Sequence, residues 1–421
     1  MLLGHNRPRK AALGLLLAVP LLSLAALNGL FHLDSEPHLC SLLAFAFVMH
    51  LWIRPGAREI CADVGAAAVL LLFYNLAYGN PHSPAGAAFT ALTYGGLLGL
   101  GSLTVLWIQA QRTNGEERER RRSALAAGLI SPVAMILIGF PLKISAVMHP
   151  RTFDALLYSF DLSLGFNPSY LVGRVFAGLQ PLRLLSSTVY DTLPLVVSFF
   201  YPALILQKKR FRVNVILLFS GALLIGSLLY NVCPAAGPFY AFPGTFPCHP
   251  PQTGEFPIEG MSIPQAPRNA MPSLHVDLAL LIFWNAYVWG LKGRILAGFY
   301  LFFTVLATLG LGEHYLVDLV VAVPFSLAMQ AAFTTDRSLH DASRRRPLLV
   351  GSALTAVWLA LLRSGVTLFE HSALWPWIAI LLTFTICWSA KRLLDSSPKL
   401  NLEPYFPSRR DAWAGLQGRG V

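Results

Sequence analysis

Long apolar runs alternate with short polar connections along almost the whole chain. Twelve runs reach helical length: 11–31, 37–53, 61–79, 86–110, 126–148, 187–207, 213–232, 274–290, 294–312, 315–333, 348–366 and 373–390. A helix rises about 1.5 Å per residue, so about 20 apolar residues cross the hydrocarbon core of a bilayer. Lipid tolerates only segments that satisfy their own backbone hydrogen bonds, and runs this long are helices rather than barrel strands. The pattern predicts an all-α, polytopic transmembrane bundle of twelve spans. Two connections break the rhythm. Residues 149–186 carry Phe153, Leu157, Phe160 and Leu164 at roughly helical spacing, with Asp154 and Asp161 between them. This predicts helices lying in the membrane interface, capped or solvated by the two acids. Residues 233–273 hold ten of the 29 prolines, which predicts an irregular loop folded over the outer surface.

Composition sharpens the same picture. The 421 residues are 55% hydrophobic and 13% charged, with a mean hydropathy of +0.56. A soluble domain carries about a quarter charged residues. The first run resembles a signal peptide in length but lacks a small-residue cleavage site, so it is expected to stay as a helix. A net charge of +11 would suggest nucleic acid in a soluble protein. Here the cations segregate instead. With a cytoplasmic N-terminus every second loop is basic. The lysines and arginines outside those loops and the termini are Lys143, Arg151, Arg174, Arg183, Arg268 and Arg363. This is the bias expected of cytoplasmic loops, and it predicts both termini in the cytoplasm and no nucleic-acid partner. No internal repeat is visible. Three regions follow: 1–125, about four helices with a basic cytoplasmic loop at 111–124; 126–333, six helices; and 334–421, two helices and a tail.

The chemistry lies at helix ends. "RNAMPSLHVD" (268–277) precedes one apolar run, and "GEHYLVDLVV" (312–321) begins another. The 39 residues from His275 to His314 allow one helix in, a turn at "LKGR" and one helix out, so both motifs reach the same outer face. His314 and Asp318 are four apart, on one face of a helix. A carboxylate there can bind one imidazole nitrogen, fix the tautomer and leave the other as nucleophile or base. His275 is placed to act as an acid. Ser273 is an N-cap after Pro272, and the amides behind it would face an anion. Arg268 is one of few outer cations. These parts suggest phosphoryl transfer.

"MPSLHV" and "EHYLVDLVVAVP" resemble the second and third motifs of the type 2 phosphatidic acid phosphatase superfamily. The nearest branch is the inositol phosphotransferase group, which includes fungal inositol phosphorylceramide synthase. "CPAAGPFY" (233–240) and "FDALLYSFDLSLGF" (153–166) are similar to bacterial members. The resemblance covers roughly residues 126–333 and implies a six-helix catalytic core. It implies that His314 is the nucleophile and forms a phosphohistidine, that His275 protonates the leaving group, that Asp318 orients His314 and that Ser273 binds phosphate. The phosphatases' first motif, a Lys and an Arg-Pro, is missing from "CPAAGPFYAF". Their Ser-Arg pair upstream of the histidine is replaced by Ala307 and Thr308. Phosphate must then find other cations, with Arg268 first and Lys143 and Arg151 behind it. The reduced motifs favour the transferase branch over a phosphatase.

The resulting expectation is a membrane lipid phosphotransferase that moves a phosphoryl or phospho-head group between lipids. Its substrate is a phospholipid or lipid phosphate, its acceptor a lipid hydroxyl, and it needs no metal or organic cofactor. The alternative within the superfamily is a phosphatidate- or polyprenyl-phosphate-type phosphatase. Outside it stand a transporter, which the helix count suits, and a metal site built from His275, His314 and Asp318. Ala- and Leu-rich composition points to a bacterial inner membrane, with the site on the periplasmic face. On an oxidising outer side Cys233 and Cys248 can form a disulfide. Asp277 is expected to be shallow and solvated, and Glu313 to be a surface carboxylate.

Overall fold

In a computed structural model the described residues are 37–80, 87–206, 211–252, 260–263, 266–364, 369 and 372–396. The first expected span, 11–31, lies outside them. The structure is about 78% helical. Its helices are α1 (Pro37–Trp52), α2 (Ala57–Tyr78), α3 (Ala87–Arg112), α4 (Gly115–Met148), α5 (Asp154–Ser163), α6 (Pro168–Gly178), α7 (Gln180–Leu206) and α8 (Val215–Leu229). After the short α9 (Pro238–Ala241) come α10 (Leu274–Asn285), a 3-10 turn (Ala286–Trp289), α11 (Gly290–Gly310), α12 (Leu316–Ala332), α13 (Ala342–Ser364) and α14 (Leu374–Asp395). A two-residue antiparallel ladder pairs β1 (Arg151–Thr152) with β2 (Met261–Ser262).

Every expected apolar run within the described residues coincides with a helix. Among the described residues five stretches are long and apolar enough to cross a membrane: α2, most of α3, the α10–α11 unit, α13 and α14. The apolar helices α1, α8 and α12 have 16, 15 and 17 residues, at or just below the short end of the range for a span. The protein is an all-α, integral membrane bundle. Its outside is apolar, as lipid requires. Only Asp63 and Tyr74 of α2 are buried, and Phe73 and Leu76 are more than half exposed.

α12 is the axis of the fold. Fourteen of its 17 residues are buried, which explains a sequence apolar on every side. α10, α13 and α14 pack on it, α7 and α6 pack on α11, and α4 packs on α8. Polar pairs lock α10 to α12. Ser326 donates to the Asp277 carboxylate at 2.5 Å, and Asn285 and Gln330 exchange amide hydrogen bonds at 2.9 and 3.1 Å. Asp277 is therefore fully buried rather than solvated. A hydroxyl partner makes that burial tolerable between helices. The chain reverses at Gly290, whose φ of 68° is left-handed, so α11 starts ahead of the expected "LKGR" turn.

Candidate active site

The loop before α12 is built by carboxylates binding backbone amides. Asp318, in the first turn of α12, accepts the Tyr315 N–H at 2.8 Å, an N-terminal cap that favours a negative group. Asp161 of α5 accepts the Leu316 and Val317 N–H groups at 2.7 and 3.3 Å. Asp154 accepts the amides of Ala236 (3.0 and 3.1 Å to its two oxygens) and Gly237 (2.8 Å), and the Tyr315 hydroxyl at 2.9 Å. Both α5 acids are fully buried, so α5 is part of the interior and not a helix solvated at the interface. Burial raises both carboxyls above their ordinary range, the amide bonds oppose the rise, and the Asp318 charge adds to it for Asp161. A signal was present in the sequence: Asp154 and Asp161 are seven apart, hence on one helical face, in an otherwise apolar segment.

Three segments distant in sequence meet here. Phe239 N–H donates to the Gly312 carbonyl at 2.9 Å. Gly237 has φ 96°, and a side chain there would strike the Glu313 carbonyl, so only glycine lets these loops approach. On the other side the Ser273 N–H donates to the Asp318 carbonyl at 3.2 Å. From α6, capped by Asn167 with Pro168 in its first turn, Ser169 donates to the His314 carbonyl at 2.8 Å.

The His314 ring is thereby fixed. Its Nδ1 lies 2.8 Å from the Ala270 carbonyl and 3.4 Å from Asp318 Oδ2. A carbonyl can only accept, so Nδ1 carries the proton and Nε2 keeps its lone pair. Nε2 has no partner among the described residues. Ala270, which no sequence pattern marks, is thus the closer orienting group, and Asp318 is the more distant one. The imidazole is 2% exposed. Burial lowers its pKa to about 4, against the Glu313 charge and the Ala270 bond, which favour protonation. Glu313 is itself raised by burial, partly offset by His314, so it is not an ordinary surface carboxylate.

Ser273 is fully buried and accepts the Val276 N–H at 3.5 Å, as expected of the cap of α10. His275, the second residue of α10, stacks on Tyr190 of α7 with ring centroids 3.9 Å apart and planes 21° apart. It lines a cavity with Asn269, Tyr230 and Leu274.

The expected cations do not converge. Arg268 is 1% exposed, and its three guanidinium nitrogens donate to the carbonyls of His149, Ala266 and Ile263. It staples the outer loop instead of presenting a phosphate ligand, because unpaired buried carbonyls are costly. Arg151 is exposed on β1. The Lys143 side chain lies outside the described residues. Cys233 and Cys248 are free thiols, the first buried and the second exposed, so no bridge joins them. Among the described residues no three His, Cys, Asp or Glu side chains are grouped to hold a metal ion.

A family model of the PAP2 superfamily matches residues 155–332, the segment from α5 to α12. That is less than half of the chain, and it contains His275, His314 and Asp318. No curated protein and no solved structure matches the chain. The fold is that of a helical membrane protein, and its central segment is similar to the PAP2 superfamily. Members of that superfamily are typically phosphatases or phosphotransferases, which supports an enzyme of that general kind.

Proposed function

We propose that the protein transfers a phospho-head group between lipids through a phosphohistidine on His314. The observation that carries this reading is the tethered ring: Nδ1 is held by the Ala270 carbonyl, and Nε2 is unengaged. In the first step Nε2 attacks phosphorus. The bond from phosphorus to the donor lipid's oxygen breaks, and His275 supplies the proton to that oxygen. In the second step an acceptor hydroxyl attacks phosphorus, the phosphorus–nitrogen bond breaks, and the acceptor's proton returns to His275. Asp318 supports the positive ring, and the Ser273-capped start of α10 offers its amides to the phosphate.

Charge favours a diester over a monoester substrate. Among the described residues the charges acting on His314 and Glu313 are each other's, with that of Asp191 acting on Glu313 as well. Two buried acids, Asp154 and Asp161, already hold the surrounding amides. A doubly charged phosphate monoester gains little in such surroundings, whereas a singly charged phosphodiester is better tolerated. This supports an inositol phosphotransferase-like reaction, with a lipid hydroxyl as acceptor. The segregation of basic residues into alternate loops supports a site on the outer face, periplasmic in a bacterial inner membrane.

Purified protein incubated with labelled phosphatidylinositol, with and without a lipid alcohol, tests the reading. A new phospholipid and an acid-labile label on His314 are expected. Release of inorganic phosphate from phosphatidate, with no turnover of the diester, would replace it with a phosphatase. Full activity of His314→Ala would end both.

A further inference from the structure

Between the matched core and the N-terminal helices lies a cavity of about 230 Å³. Its walls come from both. Val215, Phe219 and Leu223 of α8 contribute one side, and Ile130, Ala134 and Met135 of α4 another, with Leu42 of α1. The lining runs from Val215, the first residue of α8, to Tyr230, its C-cap. Fifteen residues of helix make that about 22 Å, so the space is a slot that follows α8 from its first turn to its cap. Its character changes along its length. The wall is aliphatic and aromatic except for Ser131 and Ser220, while Asn269, Tyr230 and His275 gather at the α10 end. One polar mouth on a long apolar slot matches a molecule with one polar end and one long hydrocarbon chain.

We propose that this slot binds one hydrocarbon chain of the lipid substrate, with the phosphate end at His275, so that α1 and α4 select the chain. The proposal rests on the lipid phosphotransfer reading of the site. It gives a task to helices outside the matched segment. α4 closes the slot from residues 130–142, and α1, which packs on both α4 and α7, backs it. The head-group chemistry stays with α10 and α12, while the tail is measured by the N-terminal region.

Full-length protein in phosphatidylcholine vesicles is photolabelled with phosphatidylinositol that carries a diazirine at the end of one acyl chain, and the labelled peptides are mapped. Label is expected within 130–142 and 215–223, and unlabelled phosphatidylinositol should compete for it. Ala134→Trp and, separately, Ser220→Phe should each cut that label about ten-fold, the scale on which a filled apolar pocket discriminates. The same variants should raise KM for long-chain over short-chain donor by a similar factor. His314→Ala should keep the label while turnover stops, so failure of the reaction chemistry and failure of the slot give different results. Label confined to outward positions such as Leu76 or Trp388 would overturn the proposal. So would slot label that phosphatidylinositol does not displace, or two folded, filled variants with unchanged label.

Discussion

Among the described residues stand two buried histidine–aspartate pairs, one in the N-terminal helices and one in the matched core. His50 of α1 and Asp63 of α2 meet at 2.7 Å, both fully buried. His314 and Asp318 lie 3.4 Å apart at the head of α12. By distance alone the first pair is the better dyad. Its other atoms are sealed, however: His50 Nε2 and Asp63 Oδ1 are buried without partners. The contact ties two helices together, which is the use of polar groups in an apolar bundle. In the core the carboxylate is shared. Asp318 Oδ2 also takes the Tyr315 amide, and a neutral carbonyl, Ala270, is the nearer partner of the ring. A His–Asp contact is therefore not yet a site. A site needs one nitrogen held by a group that only accepts, and the other left for substrate.

The sharpest way to break this comparison is to remove each imidazole. His314→Ala should lower turnover by about 10⁴-fold or more, as loss of a nucleophile does. His50→Leu should leave turnover within a few-fold of wild type. It should instead lower stability by about 3–5 kcal/mol, the cost of stranding one member of a buried pair, read by thermal unfolding in detergent. Equal loss of activity in both variants would make the N-terminal pair functional. The double variant His50→Leu/Asp63→Leu should recover most of that stability, because no buried charge is then left alone.

Removing the carboxylate charge comes next. Because the Ala270 carbonyl already fixes Nδ1, Asp318→Asn should cost about 10–100-fold in kcat, less than the roughly 10⁴-fold seen where a carboxylate alone sets the tautomer. A full 10⁴-fold loss would return the orienting role to Asp318. The pH profile sharpens the same point. Burial lowers His314 to about 4, so Nε2 keeps its lone pair down to that pH. The acid limb of kcat/KM should fall near pH 4, not near the ordinary 6.5. Glu313→Gln removes a charge that favours the protonated ring, and should move the limb lower still. Linkage has the same sign: the unfolded chain takes up this proton below about pH 6.5 and the folded one only near 4, so stability is lost as pH falls through that window.

The smallest expected effect belongs to Arg268. Arg268→Met leaves three carbonyls without their donor and should cost about 1–3 kcal/mol of stability. With the loop folded, KM for the phospholipid should change less than two-fold. A ten-fold rise in KM at unchanged stability would restore Arg268 as a phosphate ligand.

Much of this was legible before any coordinates. The apolar runs marked the helices, because a chain in lipid must bury its backbone hydrogen bonds within segments of recognisable length. The four-residue spacing of His314 and Asp318 and the Ser273 cap were equally plain, being local properties of one helix turn. What could not be read was every partner supplied from a distance. Arg268 looked like an anion ligand because its charge is visible in the sequence, while the three carbonyls that engage it are not. Asp154 and Asp161 looked like interfacial acids because the amides they bind lie more than 80 residues away.

The amino-acid order by itself determined that the protein is a helical membrane bundle, and it set the local spacing of the two motifs at the candidate site. Periodicity, run length and i,i+4 spacing are properties of the chain within a few turns. The tertiary structure alone decided that Ala270 holds the His314 ring, that Cys233 and Cys248 stay apart, and that α1 and α4 wall a slot leading to His275. These are contacts between segments far apart along the chain. A backbone carbonyl or an empty volume has no residue type of its own to announce it; only packing brings it to the place where it acts.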